Sequence, residues 1–123
     1  MTRIGVLGGT FDPIHHGHLA LGQAAHELLD LDTTLFVPAA RPPHKEGERV
    51  TNPELRCKMV ELAIAGNPAF ALSRIELDRP GLSYTIDTLR TIATQPNPSG
   101  EEVEIYLILS VESLLGFHEW EDP

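Results

Sequence analysis

Cations, cysteines and long apolar runs are all scarce in this sequence. Nine lysines and arginines stand against eighteen aspartates and glutamates, a formal charge of −9. That balance argues against a general nucleic-acid binder, because such binding runs on basic side chains neutralising phosphates. It leaves room for a small phosphorylated ligand, which needs only a local cluster of donors. The single cysteine, Cys57, excludes an intrachain disulfide and fits a reducing compartment. No apolar run reaches the roughly 20 residues of a membrane span, and no charged-then-apolar leader opens the chain. The expectation is a cytoplasmic protein that does not associate with membranes. What is present is ordinary for a globular domain, 41% apolar and 22% charged. At 123 residues the chain makes one domain at most, spanning 1–123, and buries roughly two-thirds of its unfolded surface.

Short apolar runs alternate with helical stretches. Ile4-Gly5-Val6-Leu7, followed by two glycines, predicts a buried parallel strand. From His18 to Leu29 the residues Leu21, Ala24, Ala25 and Leu28 recur at helical spacing. Leu35-Phe36-Val37 predicts a second strand stopped by Pro38, and residues 39–50, rich in proline and charge, predict a loop. Thr51 and Glu54 suit a capping box, with Pro53 in the first turn of a helix whose buried stripe is Leu55, Met59, Leu62 and Ala63. Gly66-Asn67-Pro68 ends that helix. Phe70-Ala71-Leu72 predicts a weak third strand, with Ile75 and Leu77 as its extension. Ser83 suits the cap of a third helix with Ile86, Leu89, Ile92 and Ala93 on its apolar face. Residues 103–109 form the clearest strand, and a short helix is expected from Glu112. Strands alternating with helices predict an α/β fold, an open parallel sheet with helices on both faces and right-handed crossovers. Ligands of such sheets sit beyond the carboxyl ends of the strands.

The residues from Gly8 to His18 lie at one such end. Gly8 and Gly9 let the backbone turn tightly and bring bare amides near a ligand. Thr10 adds a hydroxyl donor, Pro13 fixes the loop, and Gly17 leaves space where a side chain would block approach. Asp12 is read as holding the loop. His15 and His18 are three apart, so at a helix start they project on one face beside free amides and partial positive charge. Together they form a cradle for a polyphosphate. Taken singly these parts mean less: a Gly-Gly pair is usually a turn, a lone histidine is usually structural, and two histidines at this spacing can also ligate zinc. No cysteine or carboxylate set completes a closed metal site, so no resident metal is assigned. Cys57, on a helix, is read as a packing residue.

The whole string, with His15-His16-Gly17-His18 at its end, resembles the signature of the His-x-Gly-His nucleotidyltransferase superfamily. Three further features resemble the bacterial nicotinate-nucleotide adenylyltransferase family. They are Pro42-Pro43-His44-Lys45 after the second strand, Ser83-Tyr84-Thr85 at the third helix, and Leu114-Leu115 with Trp120 after the last strand. The resemblance implies a Rossmann-like fold and adenylyl transfer from ATP to nicotinate mononucleotide, releasing deamido-NAD and pyrophosphate. It implies His15 and His18 as the catalytic donors, with His18 the stronger of the two. Gly8, Gly9, Thr10, Phe11, Gly17, Ser110 and Glu112 fall on the ATP side; His44, Lys45, Tyr84, Thr85 and Trp120 fall on the nicotinate nucleotide. Mg²⁺ is expected to bind mainly through the ATP phosphates. Without the resemblance, His44 and Lys45 read equally well as a solvated loop, and Trp120 as a core or interface anchor.

Two departures from the family pattern stand out. Where the family shows Gly-x-Asp after the last strand, this sequence has Ser110-Val111-Glu112, which puts the adenosine contact in doubt. The family also continues with a further strand and an arginine-bearing Ser/Thr-rich motif, and this sequence stops at Pro123. The expectation is an incomplete domain lacking the C-terminal strand and helix part, impaired alone, or completed by association with another chain such as a second copy. Two alternatives stay open: a sibling transferase acting on another phosphorylated acceptor of the phosphopantetheine type, and a non-catalytic nucleotide-binding module.

Overall fold

A computed structural model describes residues 2–39, 51–78, 85–94 and 102–109. Its elements in chain order are β1 (Thr2–Gly9), α1 (His16–Leu29), β2 (Thr33–Pro38), α2 (Pro53–Ile64), β3 (Phe70–Leu72), α3 (Thr85–Thr94) and β4 (Val103–Ile108). The four strands form one parallel sheet in the order β3-β2-β1-β4. The expected α/β architecture is therefore present.

Strand alternation divides the core. Neighbouring residues of a strand point to opposite faces, so Leu7, Phe36 and Ile108 pack on one side and Val6 and Val37 on the other. Leu19, Leu21 and Ala25 of α1 and Val60 and Ile64 of α2 join the first side. Leu89 and Ile92 of α3 join the second. The chain steps outward from β1 to β2 to β3, then returns past β1 to β4. Keeping every crossover right-handed through that reversal requires α3 on the opposite face from α1 and α2. The reversal makes the carboxyl ends of β1 and β4 a topological switch point, where open α/β sheets bind ligands.

Close packing explains two glycines. A Cβ at Gly5 would lie 2.6 Å from Leu31 Cδ1 and 2.9 Å from Ile108 Cδ1, and one at Gly22 would lie 3.1 Å from Phe36 Cζ. β1 and α1 thus pack so closely that a larger residue at either glycine would push these side chains aside.

Several local expectations are corrected. α1 begins at His16 rather than His18, and its Leu28 is 84% exposed. The cap of α2 is Asn52, whose Oδ1 accepts from the Glu54 amide at 2.8 Å; Pro53 then opens the helix. Its buried face is Arg56, Cys57, Val60 and Ile64, while Leu55 and Leu62 face solvent. The stripe is rotated because an arginine, counted as polar, occupies the inward position one turn before Val60. β3 ends at Leu72, and residues 75–77 turn instead of extending it. Pro38 closes β2 as its last residue, where a donor is dispensable. The loop over 40–50, the Ser83 cap and the helix after Glu112 lie outside the described residues. Among the described residues no helix is long and apolar enough to cross a membrane.

Candidate functional site

The carboxyl end of β1 leads straight into α1 through residues 10–15, and the candidate side chains His15 and His18 are fixed there by local bonds. His15 is the N-cap of α1, with its Nδ1 accepting from the Gly17 amide at 3.0 Å. His18 Nδ1 accepts from the His15 amide at 3.1 Å, which closes a reciprocal capping box made of two imidazoles. Because each Nδ1 is an acceptor, this network assigns the neutral tautomer that carries its hydrogen on Nε2. The two rings stack with centroids 3.9 Å apart and 31° between planes. Both rings therefore present an Nε2–H donor from one end of the helix. No acidic residue occupies the first turn of α1, so no carboxylate in that turn opposes an anion at the positive end of the helix.

Phe11 supports this pair from below. Its ring is 2% exposed, lies edge-on to His18 at 5.0 Å, and packs near Phe36 at 6.0 Å. Its backbone has φ 51°, the left-handed region that a bulky residue seldom adopts. Burial of the ring holds that conformation, and strain of this kind gathers at ligand sites. The part of Phe11 left for a ligand is its backbone. Residues Thr10 to Asp12 thus make a turn whose shape is set by the core.

The glycines separate by what they face. A Cβ at Gly8 would meet nothing nearer than the Val37 carbonyl at 3.8 Å, so the fold itself does not demand glycine there. That open space at a strand end suits the approach of a ligand. A Cβ at Gly17 would lie 2.8 Å from His15 Cε1 and 3.0 Å from Nδ1. The room left by Gly17 is therefore taken by the His15 ring, which differs from the expectation that it clears space for ligand. Gly9 lies against the Phe11 ring, its Cβ position 3.4 Å away.

Two features of the site escape a sequence reading. Asp12 Oδ2 accepts from the Thr51 amide at 2.7 Å, so the loop-holding role expected for Asp12 is present, with a distant partner. Hydrogen bonding from the Thr51 side chain, and then from this amide, holds the Asp12 carboxyl below its ordinary value. Arg56, 1% exposed, donates from Nε to the Thr51 carbonyl and from Nη1 to the carbonyls of Thr10 and Ala39, each at 2.8 Å. The signal for Arg56 was its spacing of four from Val60 and eight from Ile64. Cys57 packs in the core as expected, and burial pushes its thiol up.

Farther along, Glu54 and Arg74 pair through both carboxylate oxygens at 2.7 and 3.0 Å, linking the start of α2 to the segment after β3. Arg74 holds the Glu54 carboxyl below its ordinary value. Thr88 of α3 is buried and donates to Glu76 Oε2 at 2.9 Å. An open groove of about 450 Å³ lies between α1 and the α2–β3 turn, lined by His16, Leu19, Gln23 and Phe70 among others. It is separate from the His15–His18 pair and brings no chemistry to it. Thr85 is the first residue of α3. His44, Lys45, Tyr84, Ser110, Glu112 and Trp120 lie outside the described residues, as does the side chain of Thr85.

Comparison with known proteins bears on this geometry. A protein from Symbiobacterium thermophilum named as a probable nicotinate-nucleotide adenylyltransferase is 48% identical over 122 residues, covering 99% of this chain and 57% of that protein. One of the same name from Moorella thermoacetica is 45% identical over 120 residues, covering 98% and 54%. The chain thus spans a little over half the length of the curated relatives it matches. In three dimensions it superposes on the Plasmodium falciparum nicotinic acid mononucleotide adenylyltransferase complexed with NaAD, with a TM-score of 0.76 at 18% identity, covering 99% of this chain and 58% of the other. That likeness shows the fold. The cytidylyltransferase-like family model matches residues 6–123, from the middle of β1 onward. Given a parallel sheet with its switch point beside β1 and a doubly capped histidine pair at the head of α1, the chain belongs to the cytidylyltransferase-like family.

Proposed function

We propose that the protein transfers the adenylyl group of ATP to nicotinate mononucleotide, giving deamido-NAD and pyrophosphate, a step of NAD biosynthesis carried out in the cytoplasm. The observation that carries this reading is the His15–His18 donor pair at the positive end of α1. Relatives named for this reaction align with nearly the whole chain and supply the substrate class.

In the reaction a phosphate oxygen of nicotinate mononucleotide bonds to the α-phosphorus of ATP. The bond from that phosphorus to the oxygen bridging it to the β-phosphate breaks, and pyrophosphate leaves with the electron pair. The attacking phosphate has a second pKa of ~6, so at neutral pH it is mostly dianionic and no side chain has to remove a proton. The demand falls on holding the anions in line and stabilising charge as it moves to the leaving group. The Nε2–H groups of His18 and His15 meet that demand, each worth ~2.7–4 kcal/mol if they act as oxyanion-hole donors do. The backbone of Gly8, Gly9, Thr10 and Phe11 lies along the phosphates. Mg²⁺ is the cation that suits the triphosphate, and when bound it spreads the phosphate charge. Among the described residues no group of three His, Cys, Asp or Glu side chains could hold a metal ion.

The remaining assignments follow the family pattern. Ser110 and Glu112 fall on the adenosine side. His44, Lys45, Tyr84, Thr85 and Trp120 fall on the nicotinate nucleotide, with Trp120 stacking on the pyridine ring. Incubating the protein with ATP, Mg²⁺ and either nicotinate mononucleotide or phosphopantetheine tests the reading. Dinucleotide and pyrophosphate are expected from the first acceptor alone. Product from phosphopantetheine only would replace the substrate, and ATP binding without any product would leave a binding module.

A further inference from the structure

Arg56 heads the fully buried side chains, and it carries a full charge. Its hydrogen bonds go to three neutral carbonyls, those of Thr10, Ala39 and Thr51. Asp12 is near enough to feel the charge, yet its carboxylate bonds the Thr51 amide instead. Among the described residues, then, the guanidinium has no carboxylate on it. A buried cation is costly and seldom kept unless something compensates it.

The position of those carbonyls shows what the charge acts on. Thr10 follows β1, Ala39 follows β2, and Thr51 precedes α2, so all three lie at the carboxyl ends of the strands, where such sheets bind ligands. In a trans peptide the carbonyl and the amide N–H point in opposite directions. Drawing the Thr10 carbonyl onto the guanidinium therefore turns the Phe11 amide away from it. The cation also polarises that peptide, making its N–H end more positive. The same bond holds the turn on which Phe11 supports the His18 ring.

We propose that Arg56 is a positioning residue of the nucleotide site: it holds the Thr10–Phe11 backbone from behind, and through that backbone sets how tightly a polyphosphate binds. The inference rests on the nucleotide-binding reading above and deepens it. Its role is distinct from that of His15 and His18, since the bonds donated by its Nε and Nη1 go to backbone carbonyls of the site.

Inorganic pyrophosphate is the probe, because its binding needs no turnover. Arg56→Lys keeps the charge but replaces a rigid fork with a single ammonium that cannot span three carbonyls in the same way. Arg56→Met keeps much of the volume and removes the charge. The dissociation constant for pyrophosphate is expected to rise about tenfold in Arg56→Lys and about a hundredfold in Arg56→Met, the range seen when a supporting charged hydrogen bond is lost. In the unaltered protein the Arg56 Nε–H resonance, shielded by burial, is expected to shift as pyrophosphate saturates. That readout decides the matter even where a variant does not fold.

A folded Arg56→Lys protein that binds pyrophosphate as tightly as the original would overturn the proposal, whatever its melting temperature. So would an Nε–H resonance that stays in place at saturation, or an original protein that does not bind pyrophosphate. Binding that depends on Arg56 in a protein that makes no dinucleotide would support the proposal while refuting the assigned reaction.

Discussion

Replacing Gly17 by alanine separates the proposed donor arrangement of His15 from the stability of the fold. The added Cβ would stand 2.8 Å from His15 Cε1 and 3.0 Å from its Nδ1. Contacts that short do not persist, so the His15 ring has to move by several tenths of an ångström. His15 is exposed, so it can swing outward without disturbing the core. Two stability terms then oppose each other. Losing the Nδ1 cap on the Gly17 amide costs about 1 kcal/mol, whereas alanine in place of glycine gains up to about 1 kcal/mol within a helix. The net change is within about 1 kcal/mol, a melting shift of no more than about 4–8 °C for a domain this small. Activity should respond differently. A displaced donor forfeits part of the ~10²–10³-fold that such a group contributes, and kcat is expected to fall about 10- to 100-fold. Steady-state kinetics beside a thermal melt measures both. A Gly17→Ala protein with unchanged kcat would refute the claim that the His15 ring must sit where it does, and one that fails to fold would refute the opposition of terms.

Other substitutions test the core and the surface. Thr34 is fully buried in β2 and its hydroxyl has no hydrogen-bond partner. Thr34→Val removes that orphaned group at nearly constant volume and is expected to stabilise the protein by about 1 kcal/mol, read from denaturant unfolding. A clear loss of stability would show that the hydroxyl is satisfied after all. The Glu54–Arg74 pair should show itself in acid. Because Arg74 depresses the folded-state pKa of Glu54, the pair stabilises the protein above the ordinary carboxylate range and loses that contribution as the pH falls through the depressed value. The stability gap between the original protein and Glu54→Gln should narrow over that acidic window, and a gap independent of pH would contradict the assignment.

The layout of the sheet was legible because its cues are local. Val6-Leu7, Phe36-Val37 and Leu107-Ile108 are apolar pairs pointing to both faces, which is how a strand buried on both sides reads. The histidine pair was legible for the same reason, since a spacing of three at a helix start fixes a shared face. What the sequence hid was non-local or went against residue type. Arg56 is an inward-facing charge whose three acceptors come from segments up to 46 positions away, and taking it as solvent-facing rotated the whole stripe of α2. Asn52 and Thr51 are both residue types that cap helices, and only the geometry picks Asn52 as the cap of α2. The smallness of Gly17 is visible in the sequence, but the His15 ring that fills the space beside it is not. The contact of Asp12 with Thr51 spans 39 positions and leaves no periodic trace.

The central claim is that the capped histidines at the head of α1 stabilise charge in adenylyl transfer. Measuring dinucleotide and pyrophosphate formation from ATP, Mg²⁺ and nicotinate mononucleotide, with His18→Ala beside the original protein, tests it most directly. The account predicts product from the original protein and a loss of about 10²–10³-fold in kcat for His18→Ala, with both proteins folded. Equal turnover by the two, or no product from a folded original protein, would contradict it.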